Sequence, residues 1–329
     1  MTMVAVTGGA GLIGSALIWA LNRRGVDNIL VVDALETDER WKNLANLRFA
    51  DYLDREEFLL QLDNGLLDGA MEGILHMGAC SSTTETDAGF LMQNNFEYTK
   101  RLALWCAEYN KRFVYASSAA TYGDGEKGFS DDHSKLNEFR PLNGYAFSKW
   151  TMDLWALRKG LLDRIAGLKY FNVFGPNEYH KEDMRSVVLK AFEQINHSGK
   201  MRLFKSHRSD YQDGGQLRDF VYVKDAAAAT LAVYENPRAN GIFNVGTGKA
   251  RSFYDLTKAV FDAMERPVQV EYIDMPENIR EKYQYYTCAE TGKLKTVYPN
   301  EFQSLEVAVK DYVRNYLMLE NACLDPCND

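Results

Sequence analysis

Short runs rich in β-branched residues alternate, over the first half of the chain, with longer segments whose apolar positions recur every three or four residues. The runs at 3–6, 28–32, 73–77, 112–116 and 165–170 read as strands, and 12–24, 94–109 and 145–159 read as helices. Strands joined through helices of this length pair in parallel, because each crossover lays a helix on the sheet before the chain re-enters it. The pattern predicts an α/β fold, a Rossmann-type doubly wound parallel sheet with helices on both faces. Beyond Asn172 it turns irregular, until 241–245 reads as one more strand and 252–264 as a helix. A smaller C-terminal lobe is expected there, interleaved with the sheet because no repeat or low-complexity linker sets it apart.

The chain has 329 residues, 46% of them hydrophobic, enough for a sizeable core. Its 46 acidic residues outnumber 38 basic ones, which argues against a nucleic-acid or anionic-membrane partner and for a small-molecule substrate. The five cysteines form no CxxC pair and suit a reducing compartment, the cytoplasm. Cys323 and Cys327 have no histidine beside them, so no metal is expected, and the tail that carries them reads as mobile. Residues 3–21 are uncharged over nearly a membrane span. No basic segment precedes them, however, and Gly8, Gly9, Gly11 and Gly14 interrupt them, which suits a turn rather than an anchor.

Those glycines carry the first chemistry. Val4-Ala5-Val6-Thr7-Gly8-Gly9-Ala10-Gly11-Leu12-Ile13-Gly14 sets a GxxGxxG turn between the first strand and the first helix. Such a turn brings backbone N–H groups and a helix N-terminus up to a pyrophosphate. Asp33, ending the second strand, is placed to accept adenosine-ribose hydroxyls, whereas Arg40, Lys42 and Arg55 could neutralise a 2′-phosphate. These residues leave NAD and NADP both open. Met77-Gly78-Ala79-Cys80-Ser81 follows a strand that ends beside the same ligand, and its small residues allow close passage. His76 reads as a core histidine.

A second constellation follows. Ser117-Ser118-Ala119-Ala120-Thr121-Tyr122-Gly123 ends a strand, and Tyr145-Ala146-Phe147-Ser148-Lys149 places a tyrosine and a lysine one turn apart on one helix face. The lysine, with a nicotinamide cation, is expected to lower the phenol pKa so that Tyr145 works as acid or base, with Ser118 hydrogen-bonded to its oxygen. An exposed helix pair is the bland reading of YxxxK, but its register with the glycine turn and the serine strand favours catalysis.

Together these residues resemble the extended short-chain dehydrogenase/reductase family. Gly78-Ala79-Cys80-Ser81-Ser82-Thr83-Thr84-Glu85, Tyr170-Phe171-Asn172-Val173-Phe174-Gly175-Pro176, Arg218-Asp219-Phe220-Val221-Tyr222-Val223, Gly241-Ile242-Phe243-Asn244-Val245-Gly246-Thr247-Gly248 and Lys282-Tyr283-Gln284 resemble its ADP-glycero-manno-heptose 6-epimerase branch. That resemblance implies oxidation of a nucleotide sugar at C6″, rotation of the carbonyl and return of the hydride to its other face, in the supply of heptose for lipopolysaccharide core. It implies Tyr145 and Lys181 as the two proton-handling groups, supported by Lys149 and Ser118. It also implies cofactor contacts from Gly8, Gly11, Leu12, Ile13, Gly14, Asp33, Ala34, Arg40, Arg55, the 77–81 turn, Asn94, Tyr145, Lys149, Val173 and Lys181. Substrate contacts are implied for Ser118, Asn172, Asp183, Lys190, Phe204, Arg218 and Tyr283, with Arg218 on the diphosphate. The dinucleotide-binding domain is expected to take 1–171 and about 221–250, and the substrate-binding lobe about 172–220 and 251–329. NADP as the cofactor, with NAD the alternative, and a homo-oligomer, a pentamer in particular, are further implications.

The chain departs from the family pattern at Ala34, where asparagine is frequent, at Asp183 and Lys190, where serine and histidine are usual, and in a longer 205–217 stretch. A 4,6-dehydratase needs an acid and a base directly after the catalytic serine, where this chain has Ala119 and Ala120. A UDP-sugar 4-epimerase is the enzymatic alternative, and a dinucleotide-sensing binding protein the non-enzymatic one.

Overall fold

The structure is a computed structural model and describes residues 2–280 and 283–328; Lys282 of the Lys282-Tyr283-Gln284 stretch lies outside them. Seven parallel strands form the central sheet: β1 (Met3–Thr7), β2 (Ile29–Asp33), β3 (Asp51–Asp54), β4 (Met71–His76), β5 (Arg112–Ser118), β6 (Ala166–Tyr170) and β10 (Gly241–Val245), in the order β10-β6-β5-β4-β1-β2-β3. The strand order reverses at β1, which pairs with β4 on one side and β2 on the other. A crevice therefore opens beyond the carboxyl ends of β1 and β4, where doubly wound sheets take their ligands. β2, β6 and β10 are buried at every position, as strands covered on both faces must be.

The predicted strands and helices are present with ends shifted by at most six residues. The predicted helix at 94–109 begins earlier, at Ala88, and passes through a π-helical turn, Met92–Glu97, before Tyr98–Glu108. Asn143 caps the helix Gly144–Arg158, accepting from the Ala146 amide, and Ser252 with Asp255 forms a capping box on Phe253–Ala263.

The irregular reading of the chain beyond Asn172 is corrected. That region holds β7 (Asn172–Phe174), β8 (Met201–Phe204), β9 (Leu217–Tyr222), β11 (Ala250–Ser252) and β12 (Val270–Ile273), together with the helices Val187–Ser198, Val223–Glu235 and Leu305–Asn315. β11, β9 and β7 make a three-stranded sheet, and β12 pairs with β8. Val223–Glu235 escaped the pattern because most of it is buried, including its Ala226, Ala227 and Ala229, so it lacks the polar face that marks an amphipathic helix. β7 and β11 are three residues each, too short for an alternation to register.

The tail is also corrected: it is anchored, not mobile. Leu324 is fully buried, and its amide donates to Asn177 Oδ1 at 3.0 Å. No helix among the described residues is long and apolar enough to cross a membrane.

Candidate active site

The glycine turn sits at the carboxyl end of β1. Gly8 has φ +64°, and a Cβ there would lie 2.5 Å from the Gly78 amide nitrogen, so the turns after β1 and β4 touch backbone to backbone. A Cβ on Gly14 would run into the Gly8 carbonyl, which locks the first helix, Leu12–Arg23, onto the turn. That helix opens at Gly11 with no side-chain cap, leaving its first N–H groups facing the crevice for an anionic partner. Asp33 is fixed beside them: its carboxylate accepts from the Ala10 and Ala34 amides, both at 2.8 Å. Burial raises its pKa against those hydrogen bonds and the nearby Arg40 charge. The backbone cradle, the uncapped helix and a fixed carboxylate fit a dinucleotide.

Arg40 leans over this corner with a nitrogen 3.8 Å from Asp33, and a closer one 2.5 Å from Asp38. Arg55, directly after β3, donates to Asn94 Oδ1 at 2.5 Å. The next residue, Asn95, was missed by the sequence reading. The π-helical turn directs its buried side chain inward, where it accepts from Cys80 N, donates to Cys80 O and donates to Ser148 Oγ. One amide thereby ties the 77–81 turn to the helix that carries Tyr145. The only sequence signal for it was an asparagine inside an otherwise apolar helix face. His76 is the core histidine expected: its ring bonds Thr7 and Thr99, and burial holds it neutral.

Ser118 ends β5, and its hydroxyl accepts from the Ala120 amide at 3.1 Å. Burial raises the Tyr145 pKa, and the Ser118 hydroxyl opposes that rise. Lys149 is buried and donates to Ala116 O at 2.8 Å, and desolvation brings its own pKa down to about 8.

Behind these residues lies a charged network that sequence reading also missed. Asp153, one turn beyond Lys149, and Lys169, on β6, are fully buried and 2.6 Å apart. Asp153 also accepts from Tyr115 Oη and Ser117 Oγ; Lys169 also donates to Thr121 Oγ1, whose own hydroxyl donates to Ser118 O. The lysine lies 5.0 Å from the Tyr122 ring centre. The network clamps the tyrosine helix to the strand that ends in Ser118.

Lys181 lies in the short helical segment Tyr179–Met184 after β7. Glu178, fully buried, shapes this loop by accepting from Gly175 N, Ser186 N and Ser186 Oγ. Desolvation lowers the Lys181 pKa and the Glu178 carboxylate opposes it. Among the described residues no hydrogen bond joins Lys181 to Tyr145 or Ser118. Val173 is half-buried and Asn172 exposed on β7; Lys190 reaches Asp183 O at 2.6 Å on the exposed rim.

Arg218, on β9, is 8% exposed and has no carboxylate partner among the described residues. Its guanidinium donates to Leu217 O and Gln284 O and lies 5.3 Å from the ring centre of Tyr283 and 5.6 Å from that of Phe253. A buried cation neutralised only by carbonyl dipoles and ring faces is prepared for an anion. Tyr283 meets Phe204 and Tyr285 edge to face, and Gln284 donates to Gly123 O, tying this aromatic wall to the segment after Ser118. In the long 205–217 stretch Arg208 pairs with Asp210 and lies over Tyr211 and Tyr285.

The fold and these two constellations define a class: the chain belongs to the NAD dependent epimerase/dehydratase family, whose pattern it matches over residues 4–246. Within that class it is 54% identical to the ADP-L-glycero-D-manno-heptose-6-epimerase of Nitratidesulfovibrio vulgaris strain Hildenborough over 325 residues, covering 98% of this chain and 99% of that protein. It is 47% identical to the protein of that name from Fusobacterium nucleatum, covering 98% of this chain and all of that one. The crystal structure of the Helicobacter pylori protein of the same name superposes with a TM-score of 0.80 at 27% identity, over 95% of this chain and 96% of that one.

Proposed function

We propose that the protein is an isomerase that converts ADP-D-glycero-D-manno-heptose to ADP-L-glycero-D-manno-heptose by epimerisation at C6″. The full-length likeness to heptose epimerases carries this reading. A nicotinamide dinucleotide, when bound, supplies the hydride acceptor and donor. The chain's own work is to hold the sugar nucleotide, move protons and keep water out. Tyr145 takes the C6″ hydroxyl proton, and the Ser118 hydroxyl, which opposes the burial-driven rise of the phenol pKa, stabilises the resulting phenolate. Lys149 adds positive charge once it leaves Ala116 O. After the exocyclic carbonyl has turned, its oxygen faces Lys181, whose lowered pKa suits an acid and whose loop Glu178 holds in shape. Arg218 grips the diphosphate, Phe204 and Tyr283 cover the sugar, and Asn172, Asp183 and Lys190 line the open side.

The remaining assignments belong to the same reading. Cofactor contacts fall to the 8–14 turn, Asp33, Ala34, Arg40, Arg55, the 77–81 turn, Asn94 and Val173. NADP is supported by Arg40 beside Asp33, which offers a cation to a 2′-phosphate; NAD is the second reading, because the Asp33 carboxylate suits a free 2′-hydroxyl. The two-domain division rests on the separation of the seven-stranded sheet from the two small ones. Five free cysteines support a cytoplasmic setting. A homo-oligomer, a pentamer in particular, belongs to the same reading as an implication of the family resemblance.

The test is to run the reaction in D2O on the purified protein. Internal hydride return predicts inversion at C6″ with no deuterium there, and deuterium at C6″ would refute it. Tyr145→Phe and Lys181→Met should each lower kcat by about 10²- to 10⁴-fold with cofactor still bound.

A further inference from the structure

The last described stretch of the chain reaches the glycine turn. After the helix Leu305–Asn315 and the turn Leu317–Leu319, two consecutive left-handed residues, Glu320 (φ +57°) and Asn321 (φ +63°), reverse the backbone. Ala322 N then bonds Tyr316 O, and 322, 323 and 324 each make a contact toward the cofactor side. Tyr179 Oη donates to Ala322 O at 2.8 Å, Cys323 Sγ lies 3.8 Å from Asn43 Oδ1, and Leu324 N donates to Asn177 Oδ1 at 3.0 Å.

Asn43 and Asn177 carry these contacts inward. Both are buried. Asn43 Nδ2 donates to Ala10 O at 2.8 Å and to Asn177 O at 2.9 Å. Asn177 Nδ2 donates to Ser15 Oγ at 2.9 Å, and Ser15 Oγ donates to Gly11 O at 2.7 Å. Two hydrogen-bonded routes thus run from the C-terminal segment to Ala10 and Gly11, the middle of the turn that receives the pyrophosphate. Burial raises the Cys323 pKa and keeps it a neutral thiol, able to donate to Asn43.

We propose that residues 322–324 form a strap that, through Asn43 and Asn177, holds the glycine turn in its binding shape and keeps the dinucleotide bound between turnovers. The inference rests on the epimerase reading for its purpose: a reaction with no net redox returns the hydride it took, so a cofactor that leaves in mid-cycle strands an oxidised sugar. The strap itself is a statement about cofactor residence. It makes Asn43, Asn177 and Leu324 positioning residues for the cofactor, acting through the turn rather than by touching the reacting atoms.

The test uses the full-length holoprotein, a chain stopped after Asn321, and Asn177→Gly, which suits the left-handed backbone at that position (φ +76°) while removing both side-chain links. Release of bound NADP is followed by rapid desalting and enzymatic cycling, and amide exchange at 8–13 is measured without cofactor. The proposal expects release at least tenfold faster in both variants, faster exchange at 8–13, and epimerisation recovered by added NADP. Parent-like release from Asn177→Gly, or from a folded truncated chain, overturns it. Should truncation prevent folding, Asn177→Gly decides alone. Faster release from a protein that epimerises no heptose would sink the epimerase reading and leave the strap standing; intact epimerisation with unchanged release would do the reverse.

Discussion

Replacing Lys169 with methionine tests how the helix that carries Tyr145 is held. The ammonium is 2.6 Å from Asp153 Oδ2 with both side chains fully buried. At that separation the attraction is about 6 kcal/mol for an effective dielectric constant of about 20. Much of it offsets the cost of removing both charges from water, so the net worth of the pair is small. Removing one partner is different, because the attraction is lost and the other charge stays buried. Lys169→Met should cost about 3–5 kcal/mol, and Asp153→Asn a similar amount. The double variant leaves neither charge of the pair and keeps an amide oxygen for Tyr115 or Ser117. It should cost much less than the sum, with a coupling energy of about 3 kcal/mol or more. Urea titrations of the four proteins at one pH give the cycle. Costs that add to within about 0.5 kcal/mol would refute the reasoning.

Three other outcomes follow from the site. Ser118→Ala removes the hydroxyl that opposes the burial-raised Tyr145 pKa, so kcat should fall about 10²-fold and the pH at which activity rises should move upward; an unchanged pH profile contradicts the role given to Ser118. Arg40→Ala should weaken NADP binding by about 10- to 100-fold while leaving NAD binding nearly unchanged, as read by titration calorimetry. Desolvation brings His180 down to about 4 from its usual 6.5. Its folded pKa lies below the unfolded one, so stability falls as pH drops from 6.5 to about 4. Between pH 7.5 and 5 the parent should lose about 2 kcal/mol that His180→Asn does not lose, measured as the difference between their urea curves.

The sheet was legible because its strands are apolar runs separated by amphipathic helices, and the glycine turn, Asp33, Ser118, Tyr145 and Lys149 sit in local motifs. What stayed hidden depends on residues distant in sequence. Val223–Glu235 is buried on nearly every side and so has no periodicity to read. Asp153 and Lys169 become a pair only when β6 lies beside β5, whose Ser117 stands opposite Lys169. Asn95 faces Cys80 because of a π-helical turn that no propensity marks. The tail looked mobile because Leu324 is a single apolar residue among small and polar ones, and its partner Asn177 lies 147 positions away. The Lys149 hydrogen bond to Ala116 O stayed hidden because the lysine's direction is a fact of packing and not of spacing.

The most direct test of the account is to incubate the purified protein, with no cofactor added, with ADP-D-glycero-D-manno-heptose and to follow the C6″ configuration by NMR. The account predicts conversion to a mixture of the two C6″ epimers. No conversion from protein shown to hold its dinucleotide, together with inversion at C4 of a UDP-sugar, would contradict it.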